Sequence, residues 1–402
     1  MSKAEGSRLF PRARWGLVGA AAIGFAGFAA GLALKPSQAW TAFLVSNFFF
    51  LTLSLGGLLF IAMMAVANAG WHRALKRVPE SLAAYLPIGG LATLCLLRGV
   101  PWLYSWAQPE AARDTLLRAQ SPYLNIGFFA ARMVGVLVIW ILLGTLMRST
   151  SISDDKQSRR GHSRRNVVLS AVFLAVFPFS FSMAAIDWLM SLQPHWSSSI
   201  FGLYNIAGLL SAAVGAISVV VIMLRRRGAL PNVSDDHLHD LGKLLFGFST
   251  VWAYLWFSQY LLVWYTNLPE ENAYYVARLT GSVSVLFFLN FLLGWTLPFA
   301  LLLRRSAKRS ERTLLAASTL VLAGRWLDIH ILAAPAVAPV YHGISVIDIA
   351  LLLAFGGLFL FTIDRALAKA PAAVLPDVHI ERPQAQPVRL PANPAKESLY
   401  ES

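Results

Sequence analysis

Ten long apolar runs divide the sequence, and each is long enough to cross a hydrocarbon layer about 30 Å thick. Short connections between the runs carry most of the arginine and lysine residues. Because backbone groups find no water partner inside a bilayer, each run is predicted to form an α-helix. The runs cover approximately residues 15–34, 39–67, 81–99, 123–148, 166–190, 198–224, 240–265, 272–303, 313–333 and 343–365. This pattern predicts an all-α polytopic membrane protein with ten transmembrane helices.

The composition favours a membrane protein over a soluble one. The chain is 57% hydrophobic and 13% charged, with a mean hydropathy of +0.58, whereas soluble domains carry roughly 25% charged residues. In a soluble protein the net charge of +14 would suggest a nucleic-acid partner, but that interaction needs an exposed soluble domain. No such domain is predicted here. Cys95 is the only cysteine, which excludes an intrachain disulfide and a cysteine-ligated iron–sulfur cluster or zinc site.

The basic residues are concentrated in alternate connections between the runs. Since arginine and lysine favour the cytoplasmic side of a membrane, both termini are predicted to be cytoplasmic. The opposite connections carry little beyond Lys35, Arg113 and Arg118. The basic connections hold Arg73, Lys76, Arg77, Arg148, Lys156, Arg159, Arg160, Arg164, Arg165, Arg225, Arg226, Arg227, Arg304, Arg305, Lys308, Arg309 and Arg312.

Ionisable residues inside the runs follow a repeated pattern. The fourth and eighth runs carry Arg132 and Arg278, and the fifth and ninth carry Asp187 and Asp328 near their predicted outer ends. Because an unpaired charge is costly in lipid, each arginine is predicted to pair with the aspartate of the following run. The repeat predicts two four-helix bundles, formed by runs 2–5 and 6–9, with the first and last runs flanking them.

This pattern divides the chain into six parts. The tail is rich in Pro and Ala, so it is predicted to be extended. The parts are a cytoplasmic segment (1–14), a first flanking helix (15–38), the first four-helix bundle (39–190), the second four-helix bundle (191–333), a last flanking helix (334–365) and the cytoplasmic tail (366–402).

Two interpretations of the buried charges stay open at this point. They are either structural ion pairs or parts of a proton relay or quinone pocket, since quinol oxidation needs proton acceptors and hydrogen-bond donors. A b-type haem is disfavoured, because paired histidines are not found inside the runs. The ion-pair or quinone-pocket candidates are Arg132, Arg278, Arg325 and His195. The proton-path candidates are Asp187, Asp328, His330 and Asp348 on the outer side, and Lys243, His239, Tyr254 and Gln259 on the inner side.

Two stretches of sequence resemble a known family. The first is Gly247-Phe248-Ser249, followed by the aromatic segment 252–260 and by residues 264–271, Trp-Tyr-Thr-Asn-Leu-Pro-Glu-Glu. The second joins Asp187-Trp188 to Pro194-His195-Trp196 in the middle of the chain. Together they resemble the second NrfD-like membrane subunit of alternative complex III, a bacterial quinol:cytochrome c or quinol:electron acceptor oxidoreductase. The resemblance covers nearly all ten runs.

The resemblance implies a fold, a location and a set of partners. It implies ten helices in two four-helix bundles in the bacterial inner membrane, and a subunit that holds no redox centre and contributes a proton path, a quinone pocket or both. The implied partners are a paralogous NrfD-like membrane subunit, an iron–sulfur subunit, haem c subunits and lipids. The cofactors, haem c and iron–sulfur clusters, would lie in those subunits, with menaquinol or another quinol as substrate.

The resemblance assigns no catalytic residue, and two other functions stay open. A secondary transporter also combines helix repeats with buried charges. A purely structural membrane scaffold for peripheral cytochromes would use the same charges as interhelical ion pairs.

Overall fold

A computed structural model describes residues 9–10, 14–156, 163–337 and 343–369, and within these ranges the chain is helical without strands. Helices make up 86% of the structure. Nine helical segments of the described residues are long and apolar enough to cross a membrane. The chain is therefore an all-α polytopic membrane protein, as the apolar runs predict.

Sixteen α-helices build the described part of the chain. Short 3₁₀ segments connect several of them, and a π-helical turn, Leu292–Thr296, interrupts one span. The α-helices are α1 Arg14–Leu34, α2 Pro36–Val66, α3 Arg77–Ala83, α4 Leu86–Cys95, α5 Val100–Leu103, α6 Thr115–Gln120, α7 Ile126–Lys156, α8 Arg164–Trp188, α9 Phe201–Arg226, α10 Asp235–Thr266, α11 Pro269–Leu279, α12 Gly281–Phe291, α13 Leu297–Leu302, α14 Arg305–Arg309, α15 Glu311–Val337 and α16 Val346–Lys369.

The seventh run forms α10, which is not among the nine apolar segments. At 32 residues α10 is long enough to cross a bilayer. Its many Trp and Tyr side chains have polar tips, and they lower the mean hydropathy of the run. Ser234 and His237 form a capping box at its start, so the helix begins before the apolar run does.

The eighth run is broken, which corrects the single helix expected over 272–303. Arg278 lies in the short helix α11, which ends at Leu279. Gly281 has a φ of +63°, a left-handed conformation that lets the chain turn before α12 begins. Arg278 therefore precedes the membrane-spanning segment Gly281–Leu302 and is not part of its first turns.

The third run is also divided, into α3 and α4. Pro87 lies in the first turn of α4 and Pro101 in the first turn of α5. Proline has no N–H for the bond to the residue four positions earlier, so it starts a new helix more readily than it continues one. The segment Arg77–Arg98 is still long and apolar enough to cross the membrane.

Two helices, α2 and α9, form the centre of the molecule. In the apolar stretch of α2, 83% of the residues are buried. This helix packs against α3, α4, α8, α9, α15 and α16. The contacts α2–α8 and α7–α8 lie within the first predicted bundle, and α9–α10 and α9–α15 lie within the second. Contacts of α2 with α9 and α15 join the two groups, and α1 packs against α16. The division into separate domains stays a prediction.

The two ends of the helix bundle differ in charge. The far end is defined here as the end where α8 finishes at Trp188 and α9 begins at Phe201. The basic end is the one where α9 finishes, with Arg225 and Arg226 in its last turn. That the basic end faces the cytoplasm stays a prediction.

Candidate functional site

Arg132 and Asp187 form a buried ion pair between α7 and α8. Nε of Arg132 donates to Oδ2 of Asp187 at 2.7 Å, and Nη2 donates to Oδ1 at 3.0 Å. The remaining Nη1 donates to the carbonyl oxygen of Tyr123 at 3.0 Å, and the guanidinium lies over the Tyr123 ring. The pair predicted between the fourth and fifth runs is present. Since both carboxylate oxygens face the same guanidinium, this pair locks two helices together.

Asp328 does not form the second predicted pair. Its Oδ2 accepts from Nη1 of Arg325, one turn earlier on the same helix, α15. Its Oδ1 accepts from the hydroxyl of Tyr204 and from the side-chain amide of Asn290 at 3.1 Å. Nη2 of Arg325 donates to Oδ1 of Asn205 at 2.9 Å, which connects the cluster to α9. Asp328 therefore pairs with Arg325, three residues earlier on its own helix, and not with Arg278 of the preceding run as the sequence pattern predicts.

Arg278 binds backbone carbonyls and one amide where a carboxylate partner was expected. Its Nε and Nη2 donate to the carbonyl oxygens of Ile331 and Leu332, both at 3.1 Å. Nη1 donates to the carbonyl oxygen of Tyr274 at 2.9 Å and to Oε1 of Gln193 at 3.1 Å. The side chain is 1% exposed. Among the described residues these acceptors are all uncharged, so Arg278 is held by hydrogen bonds and not by an ion pair.

A small cavity lies between Arg278 and Asp328 in the far half of the bundle. Its volume is about 20 Å³, and a site of roughly 10–15 Å³ with polar partners is enough to hold one water molecule. This buried cavity brings together three residues singled out in the sequence, Asp328, Arg278 and Gln259. Its complete lining is Tyr204, Trp256, Gln259, Tyr274, Tyr275, Arg278, Phe287, Asn290, Asp328, Ile331 and Leu332.

A larger pocket of about 490 Å³ opens at the far end of the bundle. This surface pocket meets the buried cavity at Tyr274, which lines both of them. Gln193 also lines the surface pocket, and it accepts a hydrogen bond from Arg278 of the buried cavity. Gln193, Arg278 and the buried cavity therefore lie between the surface pocket and Asp328. The surface pocket is lined by Trp102, Leu103, Ser105, Gln108, Leu192, Gln193, Pro194, His195, Trp196, Glu270, Ala273, Tyr274, Ala336 and Val337.

His195, a sequence candidate, lies at the rim of the surface pocket. Its Nε2 forms a hydrogen bond of 2.8 Å with Oδ2 of Asp114. Asp114 is the N-cap of α6, and its Oδ1 accepts from the backbone N–H groups of Leu117 and Leu116. The N–H of Leu117 is the main cause of a lowered pKa of Asp114, and the hydrogen bond to His195 adds to it.

His330 and Asp348 connect α15 to α16 away from the buried cavity. Nδ1 of His330 is 3.6 Å from Oδ1 of Asp348, and both side chains are buried. Oδ2 of Asp348 accepts from the backbone N–H and the hydroxyl of Ser345 at 2.8 and 2.6 Å. These contacts hold the start of α16 in place, and neither residue lines the buried cavity or the surface pocket.

The inner proton-path candidates are not brought together. Nζ of Lys243 pairs with Asp240 at 2.6 Å on the exposed side of α10, in the turn that follows His239. Tyr254 is 68% exposed on the outer face of the same helix, whereas Gln259 is buried and lines the cavity. Five residues of a helix separate their directions by more than a third of a turn. The path expected along these residues is therefore interrupted at Tyr254.

Several polar residues of this site were missed in the sequence. Tyr204, Asn205 and Asn290 lie within apolar runs, and each is less than 5% exposed. Their signal was present, because a side-chain amide or hydroxyl inside a membrane span needs a partner. A prediction based only on charged residues does not include these amides and hydroxyls.

Comparison of the chain with models of protein families and with curated proteins found no match. The family that the sequence motifs resemble therefore stays a prediction. Among the described residues, no group of three or more His, Cys, Asp or Glu side chains is arranged to hold a metal ion. The buried cavity, the surface pocket and the residues between them therefore form the candidate site.

Proposed function

We propose that this chain is an integral membrane subunit of a quinol-oxidising electron-transfer complex similar to alternative complex III, and that it conducts protons. The complex would lie in the bacterial inner membrane with both termini of this chain in the cytoplasm. The chain would carry no redox centre. Haem c and iron–sulfur clusters would lie in partner subunits, beside a paralogous membrane subunit.

One observation supports the proton path: Gln193, Arg278 and the buried cavity lie between the surface pocket and a buried acid, Asp328. Protons would move between Asp328 and the surface pocket, where His195 and Glu270 offer titratable groups. On this path they would pass water in the buried cavity, the Tyr274 side chain and Gln193. Asp328 lines that cavity and would accept the proton there.

The experiment that tests this path replaces Asp328 with Asn, which keeps the shape of the side chain but cannot carry a proton. We expect the complex, reconstituted in liposomes, to move fewer protons for each quinol oxidised. Asp187→Asn is the matched control, because Asp187 is an equally buried acid that lines neither cavity nor pocket. Haem absorbance of the purified variants reports assembly. Unchanged proton stoichiometry in assembled Asp328→Asn complex would refute the proton path.

Purification in mild detergent separates this proposal from the other two functions. A subunit of an electron-transfer complex brings haem absorbance with it, whereas a secondary transporter purifies alone. A scaffold also brings haem, but its proton stoichiometry is insensitive to Asp328→Asn. The two measurements together distinguish all three functions.

The surface pocket supports a second role, binding of a quinol headgroup. Its volume lies in the range of roughly 300–1,000 Å³ that is usual for small-molecule sites. Trp196 and Tyr274 line it as a stacked aromatic pair, with ring centroids 3.8 Å apart and planes inclined by 11°. Trp102→Ala would then raise the KM for quinol while leaving haem content unchanged. An unchanged KM would exclude this pocket as the quinol site.

A further inference from the structure

We propose that a pocket at the basic end, between α1 and α16, binds the phosphate headgroup of an anionic phospholipid. The pocket has a volume of about 480 Å³. It lies at the start of α1 and the end of α16, distant along α16 from Asp348 and the far end. This headgroup pocket is lined by Arg14, Trp15, Val18, Phe361, Arg365, Ala368 and Lys369.

The charged residues that the structure describes in the lining of the headgroup pocket are all basic. Arg14, Arg365 and Lys369 line it, and no acidic residue does. In the part of the chain that the structure describes, no ion pair involves any of these three cations. The neighbouring Asp364 is 2% exposed, and its Oδ1 accepts from the backbone N–H of Phe10 at 2.9 Å. Three cations that line one pocket and have no ion-pair partner among the described residues match the charge and the acceptor oxygens of a phosphate group.

The pocket changes from charged to apolar along the helix axes. Arg14 begins α1, and Val18 lies four residues deeper, which is about 6 Å at the rise of an α-helix. Lys369 ends α16, and Phe361 lies eight residues deeper, or about 12 Å. A charged rim above an apolar floor fits an amphiphile that enters headgroup outward. A soluble anion has no apolar part that could pack against this floor.

Close packing of α1 and α16 fixes the walls of the pocket. A Cβ on Gly24 would lie 2.5 Å from Cβ of Ala354, and one on Gly357 would lie 2.5 Å from the carbonyl oxygen of Leu17. These glycines let the two helices approach closely just deeper than the pocket. The positions of α1 and α16 on either side of the pocket are therefore fixed by backbone contacts as well as by side chains.

Trp15 places the pocket at headgroup depth. Its side chain is 75% exposed, and tryptophans on membrane proteins are concentrated at the boundary between hydrocarbon and headgroups. In the apolar stretch of α1 only 17% of the residues are buried. An acyl chain that extends from the pocket can therefore pack against the exposed apolar surface of α1. Depth, charge and the adjoining apolar surface together favour a glycerophospholipid over a soluble phosphate.

The test measures lipid binding to the purified full-length chain by native mass spectrometry, with phosphatidylglycerol and phosphatidylcholine as probes. We expect phosphatidylglycerol to bind more tightly. The double variant Arg365→Gln/Lys369→Gln should weaken its binding roughly 25-fold, because each basic residue near a membrane surface contributes about a factor of five. Val18→Trp fills the apolar floor without changing any charge, and it should also weaken binding.

The matched control is Arg304→Gln/Arg305→Gln, which removes two exposed cations at the same end but away from the pocket. We expect it to leave phosphatidylglycerol binding within roughly twofold of wild type. Equal losses in the two double variants would show diffuse surface attraction and overturn the proposal. Displacement of the lipid by excess inorganic phosphate, or unchanged binding in Val18→Trp, would overturn it as well.

Discussion

Arg278 supplies the hydrogen bond that Pro335 removes from α15. Pro335 has no N–H, so the carbonyl oxygen of Ile331, four residues earlier, has no partner within the helix. Nε of Arg278 donates to that oxygen at 3.1 Å. A buried charged side chain thus binds a helix carbonyl that a proline leaves without its donor, and the two irregularities compensate each other.

This compensation predicts a coupling between the two positions. Arg278→Met leaves the carbonyl of Ile331 without a donor, and we expect it to lower the free energy of unfolding by about 1–3 kcal/mol. In a Pro335→Ala background the restored N–H satisfies Ile331. The cost of Arg278→Met should then fall by about 1–2 kcal/mol. Chemical unfolding of the four proteins in detergent micelles measures the cycle.

Pro178→Ala provides the control for this cycle, because Pro178 also lies inside a helix, α8. None of the hydrogen bonds of Arg278 reaches α8. Arg278→Met should therefore cost the same with or without Pro178→Ala. An equal cost in the wild-type and Pro335→Ala backgrounds would contradict the link between Arg278 and Pro335.

The sequence predicted one buried arginine correctly and misplaced the other, for a physical reason. Arg132 and Asp187 are the ionisable residues at neighbouring depths in consecutive spans, so each is the nearest partner of the other. Arg278 had three competing acceptors: Asp328, a proline-freed carbonyl and the amide of Gln193. A rule that pairs only opposite charges overlooks the last two, although Pro335 was visible as a signal.

The apolar runs predicted the membrane character and most of the spans, because hydrocarbon leaves the backbone few alternatives to a helix. They did not predict the breaks. At Gly281 the conformation depends on a single left-handed residue, and the π-helical turn 292–296 depends on packing against α15. Both are tertiary effects that mean hydropathy does not encode.

Removal of one partner of the Arg132–Asp187 pair should lower the free energy of unfolding more than removal of both partners. Arg132→Met alone leaves a buried carboxylate unpaired, and we expect a loss of about 3–5 kcal/mol in the free energy of unfolding. The double variant Arg132→Met/Asp187→Leu removes both charges and should be more stable than the single variant. Thermal and chemical unfolding in micelles would show the difference.

An exposed ion pair serves as the comparison for this result. Arg225 pairs with Asp235 at 2.8 Å and with Glu311 at 3.6 Å, but these side chains are 27%, 62% and 29% exposed. Arg225→Met should therefore change stability by no more than about 1 kcal/mol. A double variant of Arg132 and Asp187 that is less stable than Arg132→Met would show that burial of the carboxylate is not the dominant cost.

The contact between Gly324 and the π-helical turn predicts a strict size limit. A Cβ on Gly324 would lie 2.6 Å from the backbone nitrogen and 2.7 Å from Cα of Gly294, which cannot rotate away as a side chain would. We expect Gly324→Ala to lower the free energy of unfolding by about 1–3 kcal/mol. Gly135→Ala, on α7 with nothing within 4 Å, should be neutral or slightly stabilising. Equal stability of the two variants would contradict the contact.

The cap of α6 by Asp114 predicts a pH dependence at the rim of the surface pocket. The pKa of Asp114 is lowered from its ordinary value of 3.8, chiefly by the N–H of Leu117 and further by His195 and the N–H of Leu116. A carboxyl whose pKa is lower in the folded state stabilises that state fully above the unfolded value, and the contribution is lost as the pH falls through the folded value. The start of α6 should therefore be stable at neutral pH and loosen only below about pH 3.8.

Hydrogen-exchange protection factors of the Leu116 and Leu117 amides would measure this loosening. In wild type we expect protection at neutral pH that is lost in the acid range. Asp114→Asn retains a good N-cap side chain but cannot titrate there, so its protection should not depend on pH in this range. Asp114→Ala removes the cap and should reduce protection at every pH. Because the N-cap bonds and not the ion pair are the main cause of the lowered pKa, His195→Gln should retain most of the wild-type profile. A wild-type profile that loses protection well above pH 3.8, or one that Asp114→Asn reproduces, would exclude Asp114 as the titrating group.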